Sequence, residues 1–475
     1  MQPASFASAA TSPAEGLPLS LPGDAFLADD SQSRSGEAPP APRSLREAGL
    51  GVGQVSDLAL KLLYLHGAMA GYEVAQEVRL PFPLVDEALR FLKEQRCAEV
   101  TSGDSMGPVS QRFTLTELGR IRARDVFEQC RYVGPAPVPL AAYARQCRAQ
   151  NVVGLECRAD SLLQAFDGFV LQEGLLDELG AALCSGRSIF LFGPPGNGKT
   201  EIARRIGRFL HEFGGEIYIP YAIDIDGAIV TVYDPSLHRA TDGRAGDDPA
   251  APLANSLAER DFDAPMPDRR WRRIRRPVML AAGELTLDML DLRHHPGSGY
   301  YTAPLHIKGN GGVFLIDDFG RQIVNPRELL NRWILPLEDR IDFLSLATGR
   351  KVAVPFEQVT LFSTNLDPAG LMDEAFLRRL RHKIYVAPPT RDMFARILRR
   401  ICEAQGIAYH PDSVNTLFGQ HYGVNRSPRS SDPRDLVEIA GAICRFRGES
   451  LRLDQAVLSE AARRLFCSID AAVAN

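Results

Sequence analysis

Between about residues 52 and 130, apolar positions recur at helical spacing. Leu58, Leu62, Leu63 and Leu65 form one stripe, interrupted by Gly67 and Gly71. Tyr72–Val78 forms a second short helix that stops at Pro81-Phe82-Pro83. Val85, Ala88, Leu89 and Leu92 line one face of a third. Short extended runs follow at Ala98–Thr101 and Phe113–Leu115, separated by a polar turn over Ser102–Gly107, and a helix begins at Thr116. From about 150 to 390 short apolar runs alternate with amphipathic ones, the signature of a parallel sheet covered by helices. Beyond 391 the spacing is helical throughout. The pattern predicts an α/β core with helices on both faces and a C-terminal all-α part.

The remaining stretches lack such periodicity. Residues 1–48 are rich in Pro, Ala, Ser and Gly and read as a disordered tail. Residues 132–150 begin Tyr132-Val133-Gly134-Pro135-Ala136-Pro137-Val138-Pro139 and read as a linker. An insertion spans about 235–276, opening in Gly/Asp/Pro-rich text and ending in Arg269-Arg270-Trp271-Arg272-Arg273-Ile274-Arg275-Arg276. The domains expected are therefore 52–131, an α/β core at 151–390 and a helical lid at 391–475. Helix, helix, helix, then a two-stranded ribbon resembles a winged helix. That resemblance implies DNA binding through the third helix, with protein docking the other use. Residues 51–130 carry nine Lys/Arg against eleven Asp/Glu, which favours docking.

Composition narrows the class. The 475 residues are 45% hydrophobic and 24% charged, which excludes fibrous and wholly disordered chains. The net charge of −5 gives no global pull toward nucleic acid or anionic lipid. Eight scattered cysteines without CxxC pairs read as buried, reduced thiols. No apolar run is long enough for a bilayer span, and Arg34 is the first basic residue, so no secretory signal is expected and the cytoplasm is the expected location.

The strongest chemical signal follows an apolar strand, Ser188–Phe192. It is Gly193-Pro194-Pro195-Gly196-Asn197-Gly198-Lys199-Thr200, with Glu201 continuing into a helix. Glycines there fold the backbone into a nest whose N–H groups point at phosphate oxygens, and the helix start adds its positive end. Lys199 reaches the β- and γ-phosphates, and the Thr200 hydroxyl ligates Mg²⁺. A second apolar strand, Val313–Ile316, expected beside the first, ends in Asp317 and Asp318. Asp317 holds the metal; Asp318 polarises water.

Val359–Thr364 then ends at Asn365, Asp373–Arg379 forms a short helix, and Ser431–Leu436 opens another. This ordered set resembles the AAA+ ATPases over about 170–450. The resemblance implies ATP hydrolysis with Mg²⁺, Asn365 as sensor 1, Arg378 or Arg379 as a finger acting in a neighbouring subunit, and Arg434 as sensor 2. It also implies a homo-oligomeric ring, expected as a hexamer. The usual second acid is glutamate, so Asp318 is a departure. Two strands about a turn, Ile341–Leu346 and Lys351–Pro355, resemble the pre-sensor-1 hairpin of the clade that includes MoxR-type chaperones, and Arg276–Asp288 falls where these carry a helix-2 insert. No GAFTGA sequence is present. The reading is a motor that remodels an unknown protein partner. Its alternative is a DNA-associated motor or loader gripping nucleic acid through the winged helix and Arg269–Arg276, and a third class is a scaffold that binds ATP with little turnover.

Overall fold

The computed structural model describes residues 36–102, 108–241, 266–371, 374–423 and 426–466. Five parallel strands form its central sheet: β1 (Ile189–Phe192), β2 (Val278–Ala281), β3 (Val313–Ile316), β4 (Val359–Thr364) and β5 (His382–Tyr385). Their spatial order is β2-β3-β4-β1-β5. Leu315 of β3 faces Leu361 of β4, which in turn faces Ile189 of β1. The acidic strand therefore does not adjoin the P-loop strand, as the sequence suggested; β4 lies between them. The reason is topological: long crossovers let chain neighbours part, and the sequence marks strands without marking their order.

Side-chain alternation assigns the two faces. Ile189 and Leu191 point into a core with Leu179, Ile202, Ile206 and Phe209, from helices Leu175–Ser185 and Lys199–Phe213. Phe190, Phe314 and Phe362 point the other way, against Trp333, Leu329 and Leu330 around helix Pro326–Arg332. The Trp333 indole is fully buried and meets the Phe314 ring edge-on at 5.3 Å between centroids. Helices thus cover both faces, as the alternation predicts.

Ahead of the sheet, helices Val52–His66, Gly71–Val78 and Phe82–Glu94 precede a small antiparallel sheet of Met69–Ala70, Arg112–Leu115 and Ala98–Ser102. Helix Glu117–Gln129 follows. Residues 103–107 of the expected turn lie outside the described residues. Four helices, Arg391–Gln405, Pro411–Gln420, Asp432–Phe446 and Gln455–Leu465, close the chain over a core of Phe394, Leu398, Leu436 and Leu458. The hairpin Ile341–Ser345/Lys351–Pro355 is present. Among the described residues no helix is long and apolar enough to cross a membrane.

Three expectations about irregular regions need correction. Residues 132–150 are not a free linker: Val138–Pro139 pairs with Ala222–Ile225, and helix Leu140–Ala149 buries Tyr143 and Cys147. Those side chains, at i and i+4, supply an apolar face that the prolines before them obscured. The tail reading ends too late. Pro40 bridges Pro267, Ser44 caps helix Leu45–Ala48, and Leu45 and Ala48 join the N-terminal core. Residues 1–35 lie outside the described residues.

The third concerns the arginine run. Residues 242–265 of the expected insertion lie outside the described residues, yet Trp271–Arg275 is a strand paired with Glu216–Pro220. Arg270, Arg272 and Arg276 are buried. Arg270 binds Asp268 at 2.8 Å, with Ala48 and Pro137 carbonyls at 2.9 and 3.2 Å. Arg276 donates to Gly214, Gln150 and Gly311 carbonyls, and burial pushes its guanidinium down to about 10. Trp271 is packed rather than offered for stacking. Half of the run's arginines thus face inward, since alternate residues of a strand turn inward, while Arg269 and Arg273 stay exposed.

Candidate nucleotide site

Three strand ends build the site. β1 runs into the glycine loop, and helix Lys199–Phe213 starts at its far side. Gly193 sits at φ 141°, and a Cβ there would stand 2.4 Å from the Val386 carbonyl oxygen. Gly196 sits at φ 81°. L-residues rarely adopt either conformation, so the loop's shape depends on glycine. Lys199 is buried, its Nζ donating to the Gly193 and Pro194 carbonyls at 2.9 and 2.8 Å. Burial lowers its pKa to about 8, opposed by the Asp318 and Asp317 carboxylates.

The acidic pair arrives on β3. Across the intervening β4, two strand spacings of about 4.8 Å remain within side-chain reach. Thr200 Oγ1 donates to Asp317 Oδ1 at 3.0 Å. The backbone of Asp317 is fixed on both sides, by the Ala281 carbonyl on β2 and by Gln322 Nε2. Asp318 follows at φ 49°, a left-handed conformation that aspartate tolerates better than most residues. From β4, Asn365 Nδ2 donates to Asp318 Oδ1 at 2.9 Å. Lys199, Thr200, Asp317, Asp318 and Asn365 are therefore gathered at one end of the sheet.

The arrangement fits a magnesium-bound triphosphate. Its nest needs glycine, and its ammonium donates to two backbone carbonyls. A hydroxyl and a carboxylate share one edge. No group of three or more His, Cys, Asp or Glu able to hold a metal exists among the described residues. Mg²⁺ is ordinarily held by one or two carboxylates plus phosphate oxygens and water, so Thr200 and Asp317 suffice as the protein's share.

The arginines are distributed differently. Arg378 is exposed, and Arg379 binds Glu338 at 2.8 Å. Both precede β5 and lie at its amino end, away from the P-loop. Arg434 stands near the start of helix Asp432–Phe446. Its side chain is 66% exposed and lies 3.5 Å from Asp435 and 3.8 Å from Glu438 on its own helix. The preceding turn reaches the P-loop. Ser431 N donates to the Gly196 carbonyl at 2.9 Å, and Ser430 N to Asn197 Oδ1 at 3.3 Å. A Cβ on Gly196 would meet Arg429 Cδ at 3.0 Å. Asp432 shapes this turn by accepting from Arg429 N at 2.9 Å and Tyr422 OH at 2.7 Å. Sequence reasoning missed Arg429–Ser431. The i, i+4 pairing of Arg434 with Glu438 was the available signal that Arg434 faces its own helix.

Comparison with known proteins adds a loose frame. A family model described as a domain of unknown function, DUF8689, matches residues 390–464. No curated protein matches the chain. Among solved structures, NtrX from Brucella abortus is 16% identical at TM-score 0.34, covering 62% of this chain and 55% of its own. The same protein in complex with ADP is 14% identical at TM-score 0.37, covering 66% and 60%. The Thermotoga maritima RuvB Holliday junction branch migration motor is 14% identical at TM-score 0.35, covering 63% and 71%. The chain thus spans little more than half the length of the two NtrX chains. At such scores the likeness is distant, and the chemistry stands on the side chains just described.

Proposed function

We propose that the chain is an ATPase of the AAA+ type that works in a ring of copies to remodel a protein partner, in the manner of a MoxR-like chaperone. The observation carrying this reading is the convergence of Lys199, the Thr200–Asp317 contact and the Asn365–Asp318 contact at one end of the central sheet. Lys199 and the loop's N–H groups bind the phosphates of ATP. Thr200 and Asp317 hold magnesium, which supplies positive charge to offset that developing on the transferred phosphoryl group. Asp318 orients and polarises the attacking water, and Asn365 fixes the angle of that carboxylate. Arg429, beside Gly196, takes the lid role that the family resemblance implied for Arg434. Arg378 or Arg379 acts on a neighbouring copy, in keeping with their distance from their own P-loop.

Two observations favour a protein rather than a DNA partner. Within the arginine run Arg270, Arg272 and Arg276 are buried, and Arg270 and Arg276 are spent on internal bonds. The outer face of helix Phe82–Glu94 offers Arg90 and Lys93 alongside Glu87 and Glu94, a balance unsuited to phosphate neutralisation. A labelled duplex should therefore show no salt-sensitive shift with the full chain at physiological salt.

The direct test is steady-state phosphate release with fluorescent-nucleotide binding on the same preparations. Lys199→Ala should lose binding. Asp318→Asn should bind normally while turnover falls on the order of a hundredfold or more, the usual scale for removing a group that activates the nucleophile. Unimpaired turnover in Asp318→Asn would refute the assignment of that carboxylate.

A further inference from the structure

Two of the cysteines meet although 27 positions separate them in the chain. Cys157 lies in the irregular stretch 151–158 ahead of helix Ala159–Ala165, and Cys184 stands in the last turn of helix Leu175–Ser185, which leads into β1. The two stretches run against each other. Gly154 N donates to the Cys184 carbonyl at 3.4 Å, and a Cβ on Gly186 would stand 2.9 Å from Val153 N. The Cys157 and Cys184 side chains are in hydrogen-bonding contact. Cys184 is exposed, which corrects the expectation of buried thiols throughout, whereas Cys157 is half-buried against the core that holds Leu179 and Leu183. An oxidant arriving from solvent therefore meets Cys184 before the buried Cys97, Cys147, Cys402 and Cys444.

We infer that Cys157 and Cys184 form a peroxide-responsive disulfide site in which Cys184 reacts first and Cys157 closes the bond. In the first step the Cys184 sulfur takes one oxygen of hydrogen peroxide as the O–O bond breaks, giving a sulfenic acid and one water. In the second the Cys157 sulfur attacks the Cys184 sulfur. The S–S bond forms, the S–O bond breaks, and the leaving hydroxide takes the Cys157 proton to become a second water. The two thiols give up two electrons, and one peroxide is reduced to two waters. Burial, together with the Cys184 contact, pushes the Cys157 thiol up to about 12, so it stays protonated while Cys184 is reduced. The share owed to Cys184 disappears once that sulfur carries oxygen, and standing contact replaces a collision for the second step. Closure brings the sulfurs to about 2.05 Å. The stretch 151–158, outside any helix or strand, is the side that gives way. The closed bond ties this stretch to the helix that leads into the P-loop strand, and a small dithiol reopens it by exchange.

The test treats the full wild-type chain, reduced and freed of reductant, with a small excess of hydrogen peroxide. Remaining thiols are alkylated and the chain is mapped by mass spectrometry without reduction. A peptide pair joined through Cys157 and Cys184 should be the main oxidised product, and dithiothreitol should abolish it. Cys157→Ser should instead leave Cys184 as a sulfenic acid captured by dimedone, several-fold more than in wild type. Cys184→Ser should leave Cys157 unoxidised at the same dose. Equal dimedone capture at Cys184 in wild type and Cys157→Ser overturns the pair. So does Cys184 joined to any other cysteine or to a second chain, or oxidation elsewhere while both thiols stay free. The wild-type map and its reversal need no substitution, so they decide the site even if Cys157→Ser fails to fold.

Discussion

Burial makes Lys199 hold its proton less firmly than it would in water, against the pull of the Asp318 and Asp317 carboxylates. Protonated, it attracts phosphate; above about pH 8 the free chain increasingly carries it neutral. A bound triphosphate favours the charged form, so nucleotide affinity should fall as pH rises through 8, by up to about tenfold per unit. A fluorescent-ATP titration from pH 7 to 9.5 measures this, and a flat profile would disprove the role. Gly193→Ala should fail differently. It puts a methyl group 2.4 Å from the Val386 carbonyl at φ 141°, so the P-loop must shift. A loss of about 2 kcal/mol in denaturant stability, with nucleotide binding abolished, is the expected outcome. These residues were legible because the glycine-lysine-threonine pattern is local: the sequence places every atom of the loop within eight residues. Asp318 was legible too, but not its positive φ, which depends on β3 ending where Phe319 N meets the Ser363 carbonyl at 2.7 Å.

Elements were legible where period and burial agree and obscure where they conflict. Trp271–Arg275 is a strand with arginine at inward positions, and no hydropathy pattern marks such a strand as internal. The flanking Arg270 and Arg276 donate to main-chain oxygens from distant segments, and Arg272 to the Tyr221 hydroxyl. Arg276→Met should accordingly destabilise the chain by on the order of 3 kcal/mol, since several buried carbonyls lose their donor; chemical denaturation reads this directly. Helix Leu140–Ala149 was hidden by the prolines ahead of it. The motif singled out Arg434 and passed over the turn before Asp432–Phe446. Arg434 sits two residues into a helix and answers to Glu438, whereas Arg429 lies in the turn that touches Gly196. Arg429→Ala should reduce turnover several-fold, and Arg434→Ala should change it by less than about twofold. Equal effects from the two would reverse that assignment.

At the scale of the molecule, the alternation of strand and helix sufficed for the architecture but not for the strand order or for how the parts join. The N-terminal helices are packed onto the body. Ala222 of strand Ala222–Ile225 belongs to their core, Gln54 Nε2 donates to Asp224 Oδ2 at 2.6 Å, and Arg131 N donates to the Ser298 carbonyl at 2.7 Å. Such contacts depend on residues about 170 positions apart, which no local pattern encodes. They also make the N-terminal helices a part of the body rather than a tethered hand.

The claim beneath all of this is that β1 and β3 serve one ligand although β4 separates them. Magnesium dependence of ATP-analogue binding tests it most directly, compared between wild type and Asp317→Asn. Wild type should bind tighter with magnesium than with a chelator, and Asp317→Asn should lose most of that difference while retaining the chelator-measured affinity. An unchanged magnesium dependence in Asp317→Asn would mean that the carboxylate and the lysine act on different ligands.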